Sequence, residues 1–208
     1  TESMLIKVCG RREASKIREV EACGTDWMGF IFFAPSARNV TDRPEYLPVH
    51  ACRVGVFVDA DFKTMTEKIQ EFGLHLVQLH GTESSETCLK LKQLGVEIVK
   101  AFAIRSPNDL KQTAAYTGTC DYFLFDTPCI GYGGSGKSFD WNLLQHYQGK
   151  TPFLLSGGIG PDSLEALASF HHPAWAGIDL NSQFETAPAC KNTAALKTFI
   201  EQFKTLQL

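Results

Sequence analysis

The chain has 208 residues, of which 44% are hydrophobic and 21% are charged, a composition typical of a globular protein. Its formal net charge is −3 and its Lys and Arg residues are dispersed, so the sequence gives no sign of a nucleic-acid-binding surface. No apolar run approaches the length of a membrane span, and the start of the chain lacks the pattern of a signal peptide. We therefore expect neither a nucleic-acid nor a membrane partner.

Short β-branched or aromatic segments alternate with longer amphipathic segments along the chain. The predicted strands are Leu5–Cys9, Trp27–Phe33, Arg53–Val58, Leu74–His80, Glu97–Ala103, Tyr122–Thr127, Pro152–Ser156 and Trp175–Leu180. The predicted helices are Glu13–Cys23, Phe62–Phe72, Glu83–Leu94, Pro107–Tyr116, Trp141–Tyr147, Pro161–Ser169 and Thr193–Phe203. The interval Asp42–His50 contains two prolines, so we expect only a short helical turn there.

This alternation predicts an α/β fold with a parallel sheet and helices outside it. Eight such units without a long linker predict a closed (β/α)8 TIM barrel, with an open doubly wound sheet as the alternative. We expect residues 4–208 to form one barrel domain, with Met4 as the natural start and residues 1–3 as a remnant of protein production. In such a barrel the active site lies at the carboxyl ends of the strands.

A thiol and a carboxyl group are predicted at two of these strand ends. Because strand residues alternate between faces, Lys7 and Cys9 share one face of the first strand and Leu124 and Asp126 share one face of the sixth. If both strands belong to one barrel, Cys9 and Asp126 meet across its mouth, where they form a base and acid pair.

The seven cysteines are odd in number, scattered, and contain no C-x-x-C spacing. This pattern argues against a disulfide framework and against a zinc site, so we expect no metal. Reduced cysteines are typical of cytoplasmic proteins, which is the predicted location.

Glycines and small polar residues follow the last two strands. Gly157 and Gly158 come after the seventh strand, and Asp179, Asn181 and Ser182 close the eighth. Successive backbone N–H groups in such loops form a concave site for an anion, and this is the usual phosphate position in the barrel fold.

A glycine-rich segment, Gly131–Ser138, formally matches the P-loop pattern G-x4-G-K-S. We reject nucleotide binding because the segment is the sixth loop of a barrel repeat. A mobile lid over the site is the favoured interpretation.

The assembled motifs resemble the phosphoribosylanthranilate isomerase family of tryptophan biosynthesis. The matching segments are KVCG at 7–10, GFIFFAPSAR at 29–38, VGVFV at 54–58, VQLHG at 77–81, FDT at 125–127, GGSGKSFDW at 133–141, LSGGI at 155–159 and GIDLNSQFE at 177–185. They run in order through nearly the whole chain.

The resemblance implies an Amadori rearrangement of N-(5-phosphoribosyl)anthranilate, a phosphosugar, with no metal or other cofactor. It implies that Asp126 is the general acid and Cys9 the general base. We expect burial beside residues such as Phe102 and Phe125 to raise the pKa of Asp126. Lys7 has two open interpretations, as a cation that lowers the pKa of Cys9 or as a structural partner of Asp179.

Arg38, after the second strand, suits the substrate carboxylate because a guanidinium binds it through two hydrogen bonds. The chain departs from the family pattern at Gln183, where glycine is usual, and at Cys190, which precedes Lys191 where glycine is usual. The alternatives are another phosphosugar enzyme on the same barrel, such as indole-glycerol-phosphate synthase, or a non-catalytic phosphate-ligand sensor. A monomer and a homodimer are both compatible with the sequence.

Overall fold

Eight parallel strands in chain order form the centre of the molecule. The computed structural model describes residues 3–9, 13–127, 141–180, 185–187, 190–191 and 193–206. The barrel strands are β1 (Leu5–Cys9), β2 (Trp27–Phe32), β3 (Cys52–Phe57), β4 (Leu76–Leu79), β5 (Glu97–Ala103), β6 (Tyr122–Asp126), β7 (Phe153–Ser156) and β8 (Trp175–Leu180). Each differs from its predicted range by at most two residues at either end.

The sheet closes on itself, as the repeat pattern predicts. Every strand pairs with its neighbour in the chain, and β1 also pairs with β8, from Leu5 opposite Gly177 to Val8 opposite Leu180. The open doubly wound sheet is therefore excluded. Closure brings residues from the two ends of the chain into direct contact.

Helical segments connect most of the strands. The α-helices are α1 (Ala14–Ala22), α2 (Phe62–Phe72), α3 (Ser85–Lys92), α4 (Leu164–Ser169) and α5 (Thr193–Thr205). The segments Pro107–Tyr116, Trp141–His146 and Pro161–Ser163 are 3₁₀ helices. A short antiparallel pair, β9 (Glu185–Ala187) with β10 (Cys190–Lys191), was not predicted.

The predicted helical turn within Asp42–His50 is wrong, because this described segment forms neither helix nor strand. Pro44 and Pro48 lack the N–H that a helix needs, and each disfavours the helical conformation of the residue before it. The chain crosses from β2 to β3 here without a covering helix.

Two apolar layers lie on the two sides of the barrel wall. The outer layer packs the strands against the helices and includes Ile6, Val8, Phe123 and Phe125. The interior layer contains Cys9, Trp27, Val54, Val56, Leu76, Val99, Ala101, Leu124 and Leu154. The alternation predicted for the first and sixth strands is thus confirmed, since Cys9 and Leu124 face the interior.

A buried ionic network links the carboxyl ends of β3 and β4 to the middle of β5. The carboxylate of Glu83 accepts hydrogen bonds from the backbone N–H groups of Asp59 and Gly81, each at 2.8 Å. The ammonium group of Lys100 lies 3.8 Å from Glu83 and donates to the carbonyl of Gly81 at 2.8 Å. Burial lowers the pKa of Lys100, while the charge of Glu83 acts in the opposite direction.

We predict that Lys100→Met destabilises the fold, because it leaves the buried Glu83 carboxylate without its cation. Removing one partner of a buried ion pair costs about 3–5 kcal/mol. The measurement is the free energy of unfolding in urea.

The matched control is Lys90→Met, which removes the cation of an exposed ion pair with Glu86 on α3. That change should alter the free energy of unfolding by less than about 1 kcal/mol, as is usual for surface pairs. Equal effects of the two substitutions would contradict a structural role for the Lys100 network.

Candidate active site

The thiol of Cys9 and the ammonium group of Lys7 project from β1 into the barrel. They lie on the same face of the strand, and Lys7 Nζ is 2.7 Å from Cys9 Sγ. Lys7 is completely buried and Cys9 is 4% exposed. A positive charge is therefore held against the sulfur in a region that water does not reach freely.

A carboxylate on β8 completes this arrangement. Asp179 Oδ1 lies 3.0 Å from Lys7 Nζ, and Asp179 Oδ2 accepts a hydrogen bond of 3.0 Å from the hydroxyl of Ser156 on β7. The two interpretations of Lys7 are therefore not exclusive, because its ammonium group contacts Cys9 and Asp179 together. Both carboxylate oxygens of Asp179 are engaged with protein groups.

The charge state of Lys7 follows from these contacts. Burial disfavours the ammonium form, but the negative charge of Asp179 and the sulfur of Cys9 outweigh it, so the pKa of Lys7 is raised. Lys7 is consequently charged throughout the pH range in which a thiol or a carboxyl group titrates.

Asp126 ends β6 on the interior side, with its side chain half-buried. Burial raises its pKa above the ordinary value, and the charge of Asp179 adds to this, while His80 and Arg105 act in the opposite direction. The predicted direction is confirmed. The predicted cause, burial, also agrees, but the neighbours named for it are wrong, because Phe102 and Phe125 lie in the outer layer, on the opposite side of the barrel wall from Asp126.

The loop after β7 lies directly against Asp126. Gly157 has a φ of +103° and Gly158 a φ of +66°, the left-handed region that favours glycine. A Cβ atom on Gly157 would lie 2.5 Å from the carbonyl oxygen of Thr127 and 2.7 Å from Asp126 Oδ1. This position therefore admits no side chain, and the backbone of the loop comes close to the carboxyl group.

Arg38 lies in the loop that follows β2, at the carboxyl end of the barrel, and is half-buried. Its backbone N–H donates a hydrogen bond of 3.1 Å to the hydroxyl of Ser36. The predicted phosphate ligands Asn181 and Ser182, Gln183 and the glycine-rich segment Gly131–Ser138 lie outside the described residues.

His80, which ends the fourth predicted strand and received no role from the sequence, adds a polar group to the mouth. It follows β4 and interacts electrostatically with Asp126, Lys7 and Asp179. Desolvation by the surrounding protein lowers the pKa of His80, although its side chain is exposed at the mouth. One ring nitrogen lies 3.2 Å from the side-chain amide nitrogen of the buried Gln78. Its place at a strand end puts it at the mouth, but nothing in the sequence indicates its contacts.

Neither metal-binding nor membrane-spanning features stand out in the described part of the chain. Within residues 3–9, 13–127, 141–180, 185–187, 190–191 and 193–206, no group of three or more His, Cys, Asp or Glu side chains is placed to hold a metal ion. No helix in these ranges is long and apolar enough to cross a bilayer.

Comparison with known proteins agrees with the geometry. Residues 6–202 match the model of the N-(5'-phosphoribosyl)anthranilate (PRA) isomerase family. The chain belongs to this family. A relative from Phocaeicola vulgatus, named N-(5'-phosphoribosyl)anthranilate isomerase, is 60% identical over 201 residues that cover 97% of this chain and 98% of the relative.

Solved structures of PRA isomerases have the same barrel. The enzyme from Thermotoga maritima is 28% identical, with a TM-score of 0.82 over 98% of this chain and all of that one. A second PRA isomerase structure, 25% identical with a TM-score of 0.80 over 98% of this chain and all of that one, is a complex with reduced 1-(o-carboxyphenylamino)-1-deoxyribulose 5-phosphate. The resemblance predicted from the motifs is confirmed, and the protein is an isomerase with the TIM-barrel fold.

Proposed function

We propose that the protein converts N-(5-phosphoribosyl)anthranilate into 1-(2-carboxyphenylamino)-1-deoxyribulose 5-phosphate, a step of tryptophan biosynthesis, with Asp126 as acid and Cys9 as base. The observation that carries the proposal is that a thiol and a carboxyl group lie at strand ends of one closed barrel, each in surroundings that suit its role. One is a thiol held against a buried ammonium group, and the other is a carboxyl group whose burial raises its pKa.

The first step needs a proton donor at the furanose ring oxygen. Asp126 transfers its proton to that oxygen, the bond from the oxygen to C1 breaks, and the nitrogen lone pair forms the C1=N bond of a Schiff base. A carboxyl group with an ordinary pKa of about 3.9 would be ionised near neutral pH. The raised pKa of Asp126 supports its role, because it increases the fraction of molecules that can donate.

The second step needs a base at C2. The Cys9 thiolate takes the C2 proton, the released electron pair forms the C1=C2 bond, and the iminium nitrogen accepts the displaced electrons. The resulting enolamine tautomerises to the ketone. Lys7 supports this role because its ammonium group, 2.7 Å from the sulfur, stabilises the thiolate over the neutral thiol.

The substrate is held at its two ends in this proposal. Backbone N–H groups of Gly157 and Gly158, with Asn181 and Ser182, bind the phosphate, and Arg38 binds the anthranilate carboxylate. The positive φ of both glycines supports the first part, since residues without a side chain let the backbone N–H groups approach an anion closely.

Asp179 was predicted to bind the substrate. Because Lys7 and Ser156 already engage its two oxygens, we propose that it contributes by holding Lys7 in place. The reaction in this proposal uses no metal or cofactor. A cytoplasmic location, and a monomeric or homodimeric state, stay predictions.

The activity itself is tested with freshly prepared N-(5-phosphoribosyl)anthranilate, by following the loss of anthranilate fluorescence. Conversion of this substrate by the purified protein supports the proposal. A protein that binds phosphate ligands without turnover would instead act as a sensor, and turnover of a different phosphosugar would place it in another enzyme family.

We predict that Cys9→Ser removes most of the activity. A serine hydroxyl loses its proton far less readily than a thiol, and loss of a general base typically costs about 10²–10⁴-fold in rate. The measurement is kcat, with the KM for substrate expected to change little.

The control for this variant is Cys52→Ser. Cys52 begins β3 and packs against the same interior layer, but it lies at the amino end of the barrel. The Cys52→Ser variant should therefore have the same kcat as the unchanged protein. If Cys9→Ser were as active as Cys52→Ser, Cys9 would have no part in proton abstraction.

We predict that Asp126→Asn lowers kcat to a similar extent, since an amide of the same shape donates no proton to the ring oxygen. In the pH profile of the unchanged protein, activity should fall as the pH rises through the pKa of Asp126, because the acid must be protonated. The raised pKa shifts this alkaline limb upward from the value expected for an exposed aspartate.

Asp121→Asn is the matched control, because Asp121 precedes the same strand at its opposite end and accepts a hydrogen bond of 2.8 Å from the N–H of Ile98. It should leave the pH profile unaltered. A rise in KM alone for Asp126→Asn, with kcat retained, would make Asp126 a binding residue and require a different acid.

A further inference from the structure

We infer that Gly29 on β2 is a positioning residue for the Cys9 thiol: the space left by its missing side chain is where the sulfur sits. The inference rests on the proposed role of Cys9 and extends it to a neighbouring strand. It assigns a mechanistic reason for glycine at a position where a barrel strand would otherwise carry a packing side chain.

The register of β1 and β2 places the two residues side by side. Cys9 is paired directly with Gly29 in the parallel ladder. The neighbours of Gly29 on the same strand face, Trp27 and Ile31, both pack in the barrel interior. Gly29 therefore faces the interior beside the thiol, and any side chain on it would project into the same space.

The distances show how completely the sulfur fills that space. A Cβ atom on Gly29 would lie 2.2 Å from Cys9 Sγ, which is far inside the sum of the atomic radii. The same Cβ would be 3.4 Å from Cys9 Cβ and 3.5 Å from its Cα, which are close to ordinary contact distances. The conflict is thus with the reacting atom alone and not with the strand backbone.

Two other strand glycines give a useful contrast. A Cβ on Gly177 would lie 2.3 Å from the carbonyl oxygen of Leu5, so that position is restricted by the backbone. A Cβ on Gly55 would lie 2.5 Å from Leu74 Cδ1, the flexible end of a side chain in the outer layer. Among these three strand glycines, Gly29 is the one that meets the proposed base.

A side chain at position 29 would force the sulfur into another rotamer or shift β2. Either movement changes the 2.7 Å contact between Lys7 Nζ and Cys9 Sγ, on which the thiolate depends. It also moves the base relative to C2 of the substrate. A misplacement of about 1 Å at a reacting group can cost about 100-fold in rate.

The first test is a stability cycle that needs no substrate. Gly29→Ala should lower the urea midpoint of unfolding, because the added methyl group and the sulfur cannot occupy one space. In a Cys9→Ala background the same change should leave the midpoint unaltered, since the obstructing atom is gone. If Gly29→Ala lowers the midpoint equally in both backgrounds, or if the double variant fails to fold, glycine is required by the backbone and the inference is overturned.

The second test measures positioning. Gly29→Ala should lower kcat by about 10–100-fold with KM changed less than about twofold, and it should slow the alkylation of Cys9 by iodoacetamide near neutral pH. Gly55→Ala is the matched control, on the adjacent strand but facing the outer layer, and it should leave both quantities unaltered. Retained kcat and retained Cys9 alkylation in Gly29→Ala would overturn the inference.

Failure of this inference and failure of the proposed function give different results. If Cys9→Ser remains fully active, the role of Cys9 as base is lost whatever Gly29→Ala does, while the stability cycle still reports whether the sulfur occupies the space at Gly29. If Cys9→Ser is inactive and Gly29→Ala is not impaired, only the inference about Gly29 is wrong.

Discussion

The charge of Lys7, buried completely inside the barrel, is the constraint on which the rest of the site depends. Moving an ammonium group out of water costs several kcal/mol, so it persists only where opposite charges and acceptors surround it. Asp179 and the sulfur of Cys9 supply these partners, and Ser156 holds Asp179 in turn. A buried cation that needs negative partners favours the ionised form of the thiol beside it.

Closure of the barrel makes this arrangement available. Lys7 and Asp179 are 172 positions apart in the chain, and they meet because β1 pairs with β8. The space for the sulfur comes from β2, on the other side of β1. The surroundings of the Cys9 thiol thus come from three adjacent strands, β8, β1 and β2. The strand β6 brings the carboxyl group of Asp126 to the same mouth. The surroundings of the two groups differ, since an ammonium group lies against the thiol and burial raises the pKa of the carboxyl group.

Much of this could be predicted from the sequence. Strand alternation places Lys7 and Cys9 on one interior face, and eight strand and helix units predict the closed barrel. Motif resemblance then identifies the family. These features depend on local periodicity, which a single chain displays directly.

The remaining features depend on register and packing between strands. The space at Gly29 exists because Cys9 is opposite that residue, which no periodicity within either strand reveals. The error over Phe102 and Phe125 has a different origin, because alternation within the sixth strand already places Phe125 on the face opposite to Asp126.

The central claim, that Lys7 holds Cys9 as a thiolate, is tested most directly by a pH titration of thiolate ultraviolet absorbance. The contribution of Cys9 is the absorbance of the unchanged protein minus that of the Cys9→Ser variant at each pH. The midpoint should lie well below the ordinary thiol value of about 8.5. It should rise toward that value in Lys7→Met combined with Asp179→Asn, a pair of changes that leaves neither buried charge without its partner. A midpoint at or above the ordinary value in the unchanged protein, or one that the paired substitution does not move, would contradict the account.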